Sequence, residues 1–200
     1  MDLIFQIAVL IMSIVIHEVS HGYAARALGD PTAEYEGRLT LNPIKHIDPF
    51  GSVILPLLTY FSGGFILGWA KPVPYNPYNL KPGRFSEALV ALAGPASNLS
   101  IALIFALVLR LVPGLGAGFL EISLVIILIN IVLAVFNLVP VPPLDGSKIL
   151  FSILPESAQG VRVFLERYSL FLIVIFIFFL WKLILPIVTL IFAFLTGLPL

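Results

Sequence analysis

Residues 3–26 read LIFQIAVLIMSIVIHEVSHGYAAR, and this stretch decides the fold. It is long and apolar enough to form a membrane-spanning helix, which needs about 20 mainly apolar residues. It nevertheless carries His17, Glu18 and His21 within a single five-residue stretch. A charge such as Asp or Lys at the centre of a span costs about 2.5–3.5 kcal/mol on insertion scales, and ionisable groups there usually face an interior site. The stretch therefore predicts a membrane helix that carries a buried functional site.

The composition also indicates a protein that folds in lipid. Hydrophobic residues make up 60% of the 200 positions and charged residues only 11%, whereas a soluble domain is about 25% charged. Eleven basic side chains balance eleven acidic ones, so the net charge gives no reason to expect a nucleic-acid partner. The chain has no cysteine, which excludes disulfides, thiolate catalysis and cysteine metal ligands.

Three further segments are long enough to cross a bilayer, residues 86–111, 119–140 and 168–195. A shorter segment, 50–67, could be a short span, a re-entrant hairpin or an interfacial helix. The polar, proline-rich region 30–85 lies between the first two long spans, and we expect short strands or extended segments within it. The sequence thus predicts one all-α polytopic membrane domain over residues 1–200. It should contain about four to six transmembrane or re-entrant helices and a small extended or β region.

The distribution of Lys and Arg predicts the orientation. The region between the first two long spans contains Arg26, Arg38, Lys45, Lys71, Lys81 and Arg84, and the loop before the last span contains Lys148, Arg162 and Arg167. Residues 111–120 contain no basic side chain. Basic loops face the cytoplasm, so we expect a multi-pass plasma-membrane protein with its N-terminus outside and its site near the cytoplasmic side. This orientation requires that residues 50–67 do not cross the membrane completely.

His17, Glu18 and His21 have the spacing of a zinc site. Residues four apart lie on one face of a helix, about 6 Å along its axis, so the two imidazoles can bind one metal ion. Glu18 can then take the proton of a zinc-activated water. Catalytic zinc uses three protein ligands, and the strongest candidate for the third is Asp145 in the stretch NLVPVPPLDG, residues 137–146. The alternative for Asp145 is an ordinary Asp-Gly turn.

These two motifs resemble those of the site-2 protease family of intramembrane zinc metalloproteases. The resemblance implies one zinc ion per chain, held by His17, His21 and Asp145, with Glu18 as general base and acid. It also implies that Asn137 contacts the substrate backbone or the developing oxyanion. The region around residues 44–67 resembles a compact branch of the family without an accessory domain.

Two more elements resemble the family. Gly94-Pro95-Ala96-Ser97-Asn98 matches a motif that opens the span between the two site motifs, and Asn98 is expected to brace the site or, with Asn137, to contact substrate. Residues 69–75 resemble an edge strand that such proteases offer to an unwound substrate. The freed backbone groups of an unwound helix need new partners of this kind.

The predicted function is zinc-dependent hydrolysis of peptide bonds in transmembrane or membrane-adjacent segments. The expected partners are a membrane-embedded protein or peptide and the lipid bilayer, without nucleic acid. One alternative is a metal-binding membrane protein without hydrolytic activity, which would not need Glu18. Another is an iron-dependent oxidising enzyme, which the three histidines of the chain make less favourable. His46 with Asp48 could gate access or bind a second metal ion, but bracing of their loop is the favoured interpretation.

Overall fold

The computed structural model describes residues 3–54, 57–58, 61 and 68–200, and every regular element within these residues is a helix. The longer elements are α1 (Leu3–Ala27), α2 (Thr32–Tyr35), α3 (Ser86–Leu111), α4 (Ala117–Asn137), α5 (Asp145–Ile153), α6 (Gln159–Arg167), α7 (Ser169–Ile175) and α8 (Trp181–Thr196). Short 3₁₀ turns form at Pro43–His46, Pro77–Asn79 and Glu156–Ala158, and π-type turns form at Pro49–Ile54 and Phe176–Leu180.

Three of the predicted spans are confirmed as helices. Ile4–Ala27, Ser86–Leu111 and Ala117–Asn137 are each long and apolar enough to cross a membrane. The third helix ends at Asn137 instead of residue 140, because the prolines that follow lack the N–H and the space that a helix requires. The protein is therefore a multi-pass membrane protein built on these helices.

The span predicted over residues 168–195 stays a prediction. These residues form three consecutive helical elements, Ser169–Ile175, Phe176–Leu180 and Trp181–Thr196. The chain bends by 73° before them, between Gln159–Arg167 and Ser169–Leu180, and the apolar helix Lys182–Thr196 is too short to pass as a span alone. Pro186 lies inside α8, where a proline removes one helical hydrogen bond. Counting the bent pair as one span gives up to four spans within the described residues.

The predicted strands do not form in the described part of region 30–85. Residues 34–41 contain the end of α2 and then irregular backbone, and residues 69–75 contain no regular element. Pro72 and Pro74 have no N–H for a ladder. The small β region is therefore absent from the described residues, and the segment is held by individual hydrogen bonds instead.

The proposed behaviour of residues 50–67 lies largely outside the described residues, but the flanks of this segment meet. The N–H of Trp69 donates to the carbonyl of Gly51 at 3.0 Å, and Ser52 Oγ donates to the carbonyl of Trp69 at 2.8 Å. The N–H of Lys71 donates to the carbonyl of His46 at 2.9 Å. The chain therefore enters and leaves this segment at one place.

The main apolar core is formed where α3 packs against α4 and α8. Small side chains on α3, such as Ala102 and Ala106, are fully buried beside Ile127 and Ile131 of α4. Small residues let membrane helices approach closely, and close packing is what holds such helices together in lipid. Large apolar side chains on the outer faces remain exposed, for example Ile104 at 58%, as expected where lipid is the solvent.

Asp30 ties the end of α1 to the segment that precedes α3. Its carboxylate is fully buried and accepts hydrogen bonds from the N–H and Oγ1 of Thr32, the N–H of Asn76 and Nδ2 of Asn79. These bonds satisfy an otherwise costly buried charge. They also hold residues 69–76 beside the part of α1 that carries the histidines.

Candidate metal centre

Three side chains from α1 and α5 converge on one point. His17 Nε2 lies 3.1 Å from His21 Nε2 and 3.1 Å from Asp145 Oδ2, and His21 Nε2 lies 3.3 Å from the same oxygen. Ligands about 2.0–2.1 Å from a tetrahedral zinc ion are roughly 3.3–3.4 Å apart. The three atoms therefore have nearly the spacing of one face of such a tetrahedron. Both imidazoles are buried, at 5% and 8% exposure.

The hydrogen bonds of the two imidazoles leave both Nε2 atoms free to bind a cation. His21 Nδ1 lies 2.7 Å from the carbonyl oxygen of Val90, which can only accept, so Nδ1 carries the proton. His17 Nδ1 lies 2.7 Å from Asn98 Oδ1 and donates in the same way. The lone pairs on Nε2 of His17 and of His21 and the Oδ2 atom of Asp145 then face one another with no hydrogen atom between them. This donor set is stabilised by a cation and fits zinc.

Glu18 lies beside the two histidines. Candidate ligand atoms of His17, Glu18 and His21 all lie within 4.8 Å of one another. The Oε2 atom of Glu18 accepts a hydrogen bond from the N–H of Val73 at 2.8 Å. One oxygen of the carboxylate is thus tied to the backbone of the 69–75 segment, and the second is available to a proton. A carboxylate held in this way is available as a proton acceptor beside the two imidazoles.

Two glycines are needed for the approach of the elements around the site. A Cβ on Gly94 of α3 would lie 2.5 Å from Nε2 of both His17 and His21, so only glycine leaves this volume open. A Cβ on Gly146, next to Asp145, would overlap the carbonyl of Leu138. The glycine therefore lets the start of α5 fold back onto the end of α4 and present Asp145.

A buried chain of polar side chains continues from His17 into the helix bundle. Asn98 Nδ2 donates to the Asn130 Oδ1 atom at 2.8 Å and to the Ser13 carbonyl at 3.3 Å. Asn130 Nδ2 donates to Ser13 Oγ at 3.0 Å. Asn98 and Asn130 are fully buried, so Asn98 lies behind the ligand and its position fits bracing of the site instead of substrate contact. Sequence reasoning missed Ser13 and Asn130, although an asparagine in the middle of a very apolar span is a signal.

The remaining candidate residues lie as follows. Asn137 Nδ2 donates to the Leu133 carbonyl of its own helix at 2.9 Å. His46 is buried, and its Nε2 donates to the Thr40 carbonyl at 2.9 Å. Asp48 Oδ1 accepts the N–H groups at the start of the Pro49–Ile54 turn. These contacts support the bracing interpretation of His46 and Asp48, and neither residue belongs to the group that could hold a metal ion in the described part of the chain.

The 69–75 segment differs from the expected edge strand. The N–H groups of Trp69, Lys71 and Val73 are already bound to other parts of the protein, and Pro72 and Pro74 have none. Arg38 is buried, and one of its nitrogens donates to the carbonyls of Lys71 and Pro72 at 2.8 and 3.2 Å. The segment therefore offers few donors with which an unwound substrate could pair.

A His-Glu-x-x-His helix completed by a distant aspartate, within a bundle of membrane-spanning helices, defines a membrane metalloprotein of the zinc-hydrolase class. The chain belongs to peptidase family M50, the site-2 protease family, whose model matches residues 5–116 and 114–181. It is accordingly a zinc-dependent membrane metalloprotease.

Several relatives bear names that provisionally assign them to the zinc metalloproteases. YwhC of Bacillus subtilis (strain 168) is 39% identical over 82% of this chain and 76% of its own length. Rip2 of Mycolicibacterium smegmatis (strain ATCC 700084) is 31% identical over 86% of this chain and 66% of its own length, so the chain spans about two thirds of that relative. MJ0611 of Methanocaldococcus jannaschii is 33% identical over 73% of this chain and 72% of its own length. No solved structure matches the chain.

Proposed function

We propose that this protein is an intramembrane endopeptidase that hydrolyses peptide bonds of transmembrane or membrane-adjacent segments. The convergence of His17, His21 and Asp145 within 3.3 Å at a buried position of a spanning helix carries this proposal. His21 and His17 lie six and ten residues before the end of α1 at Ala27, or about 9 and 15 Å at 1.5 Å per residue. The hydrocarbon core is about 30 Å thick, so scissile bonds would be reached at membrane depth.

In this proposal His17, His21 and Asp145 hold the zinc ion, and the Nδ1 hydrogen bonds to Asn98 and Val90 fix the tautomers of the histidines. When bound, zinc would supply polarisation of the scissile carbonyl and of a water molecule. Glu18 would accept a proton from that water at Oε1, while the Val73 N–H occupies Oε2. Glu18 then returns the proton to the leaving amine. Asn137 would contact the substrate backbone through its second N–H or its Oδ1, because one N–H already donates to the Leu133 carbonyl.

We further propose that the site opens toward the cytoplasmic side of the plasma membrane. The flanks of segment 50–67 meet through the bonds of Trp69 with Gly51 and Ser52, so the basic residues before and after this segment share one side. The positive-inside rule places that side in the cytoplasm. The basic end of α1, at Arg26, lies on the same side.

The test compares purified wild type with Glu18→Gln in detergent, measuring zinc content and cleavage of a membrane-anchored peptide with an unfolded segment. We expect one zinc ion per chain in both proteins, and cleavage only in wild type and only without a chelator, because the variant keeps the ligands and loses the base. Glu121→Gln, an exposed acid at the start of α4, is the matched control and should cleave like wild type. Cleavage by Glu18→Gln contradicts the mechanism, and zinc without cleavage in wild type favours a binding protein.

A further inference from the structure

We propose that Asn130 is a positioning residue for the metal centre, acting through Asn98 on the ring of His17. The inference rests on the proposed metal site and assigns a role to a residue that hydrogen-bonds Asn98, Ser13 and Ile126 and reaches the ligand His17 through Asn98. Asn130 lies in the middle of α4, the most apolar of the three long spans. A polar side chain there is costly in lipid unless its groups are satisfied.

All donors in this buried chain point in one direction. His17 Nδ1 donates to Asn98 Oδ1, Asn98 Nδ2 donates to Asn130 Oδ1, and Asn130 Nδ2 donates to Ser13 Oγ and to the Ile126 carbonyl. The Ile126 carbonyl can only accept, so it fixes the amide orientation of Asn130. In that orientation Oδ1 of Asn130 faces Nδ2 of Asn98. The other end of the Asn98 amide, its Oδ1 atom, then faces His17. The tautomer of His17 is therefore set jointly by Asn130 and by the Ser13 carbonyl, which also accepts from Asn98 Nδ2 but at the longer distance of 3.3 Å.

This chain of hydrogen bonds also connects three helices at the level of the ligands. Ser13 and His17 lie four residues apart on α1, Asn98 lies on α3 and Asn130 on α4, and all four are at most 5% exposed. Hydrogen bonds in series polarise one another in a medium of low dielectric constant. A ring held by such a chain keeps Nε2 directed at the metal and makes it a better donor, which is how partners behind a ligand increase metal affinity.

Ser123 is a second buried polar residue on α4, and it does not belong to this chain of hydrogen bonds. Ser123 lies seven residues before Asn130, on the same face of α4, and is also fully buried. Its Oγ atom has no hydrogen-bond partner within the described residues. Ser123→Ala is therefore a matched control that removes a buried polar group from the same face without touching the chain.

The test measures zinc affinity of the purified, folded protein by competition with a chromophoric chelator, together with the visible spectrum of the cobalt-substituted protein. Asn130→Asp has nearly the same shape and keeps an acceptor for Asn98, but a carboxyl group donates at most one hydrogen bond and cannot replace both donations of Nδ2 to Ile126 and Ser13. We expect zinc affinity to fall about tenfold, the lower end of the 10–100-fold range for partners behind a ligand, with altered cobalt bands. Ser13→Ala, a milder change, should reduce affinity less, and Ser123→Ala should leave it unchanged.

A double variant decides whether the effect runs through Asn98. In the Asn98→Ala background, Asn130→Asp should cause no further loss of zinc affinity, because the route to His17 is already cut. Additive losses overturn the proposal, as does wild-type affinity in both Asn130→Asp and Ser13→Ala. Lower thermal stability with unchanged affinity and spectrum would make Asn130 a helix-packing residue only, which also overturns it. If wild type itself binds no zinc, the proposed metal site fails and this inference fails with it. If wild type binds zinc and the variants bind it equally well, only this inference fails.

Discussion

Gly94 shows how closely α3 is placed against the two histidine ligands. The Cβ of an alanine at this position would lie 2.5 Å from Nε2 of both His17 and His21, inside the volume that the metal ion needs. We therefore predict that Gly94→Ala lowers zinc affinity at least about tenfold, a change comparable to the loss of a partner behind a ligand. Zinc content after dialysis against a weak chelator measures this. Gly118→Ala on α4, where a Cβ meets nothing within 4 Å, should retain full zinc content.

We expect Asp145 to bind the metal ion directly and not merely to form part of an Asp-Gly turn. Its Oδ2 atom lies 3.1 Å from Nε2 of His17 and 3.3 Å from Nε2 of His21. We predict that Asp145→Ala lowers zinc affinity more than about a hundredfold, which exceeds the usual effect of removing a residue that only hydrogen-bonds a ligand. Asp48→Asn, which changes an acid that caps another turn, is the control. Unchanged metal content in Asp145→Ala would remove this residue from the ligand set.

The residues of the site could be predicted from the sequence to different extents. His17, Glu18 and His21 follow from helical periodicity, because local spacing alone places them together. The prediction of Asp145 depended on a second motif, which lies far along the chain from the first. Asn130 was missed, since its partners lie on α1 and α3 and depend on how the helices pack, which no local pattern encodes.

At the scale of elements, the same difference between local and non-local information explains the errors. The spans α1, α3 and α4 were predicted because length and hydropathy suffice for them. The strands of region 30–85 were wrong because a strand needs a partner, and residues 69–75 bind side chains and turns instead.

The attachment of the 69–76 segment to α1 depends on Asp30. Burial by itself would raise the pKa of Asp30, but hydrogen bonds from Thr32, Asn79 and Asn76 outweigh it and hold the pKa below its usual value. A lowered folded-state pKa stabilises the protein above the unfolded value of about 3.9, and this stabilisation is lost as the pH falls through the folded-state pKa. Asp30 therefore contributes stability throughout the neutral range.

We predict that Asp30→Asn destabilises the protein by about 1–3 kcal/mol at pH 7, since it removes a charged acceptor from several buried donors. Thermal unfolding in detergent measures this. The difference from wild type should begin to shrink below about pH 3.9, where the unfolded-state carboxyl gains its proton, and should shrink further as the pH falls through the lower folded-state pKa. Glu34→Gln, in a half-exposed pair with Arg26, should change stability by less than about 1 kcal/mol. Equal stability of wild type and Asp30→Asn at pH 7 would show that the network does not hold the segment.

At the scale of the whole molecule, the metal centre is a junction between parts that cross the membrane and parts that do not. The two histidines belong to a spanning helix, whereas Asp145 begins the nine-residue helix α5 and Val73 belongs to an irregular segment. Peptide bonds within a bilayer are protected because lipid excludes water. Irregular backbone is tolerated within a bilayer only where protein or a water-filled cavity surrounds it. Under the proposed function, the irregular elements that complete the site would therefore be those that admit water.

This arrangement requires that residues before and after segment 50–67 face one side of the membrane. The chain has no cysteine, so single cysteines can be labelled without background. Tyr35→Cys and Tyr78→Cys replace side chains that are 83% and 96% exposed, and Gly116→Cys lies beyond α3, where a Cβ meets nothing within 4 Å. With a membrane-impermeant maleimide, we predict labelling of positions 35 and 78 in inside-out vesicles and of position 116 in right-side-out vesicles.

The expected result follows from one crossing by α3 and from the contact between the flanks at Gly51 and Trp69. Gly116→Cys serves as the internal control, because its opposite labelling shows that the vesicles are sealed and oriented. Labelling of positions 35 and 78 from opposite sides would mean that segment 50–67 crosses completely. The hydrogen bonds of Trp69 and Lys71 with Gly51 and His46 could not then exist in the membrane, and the support of Glu18 by Val73 would have to be abandoned with them.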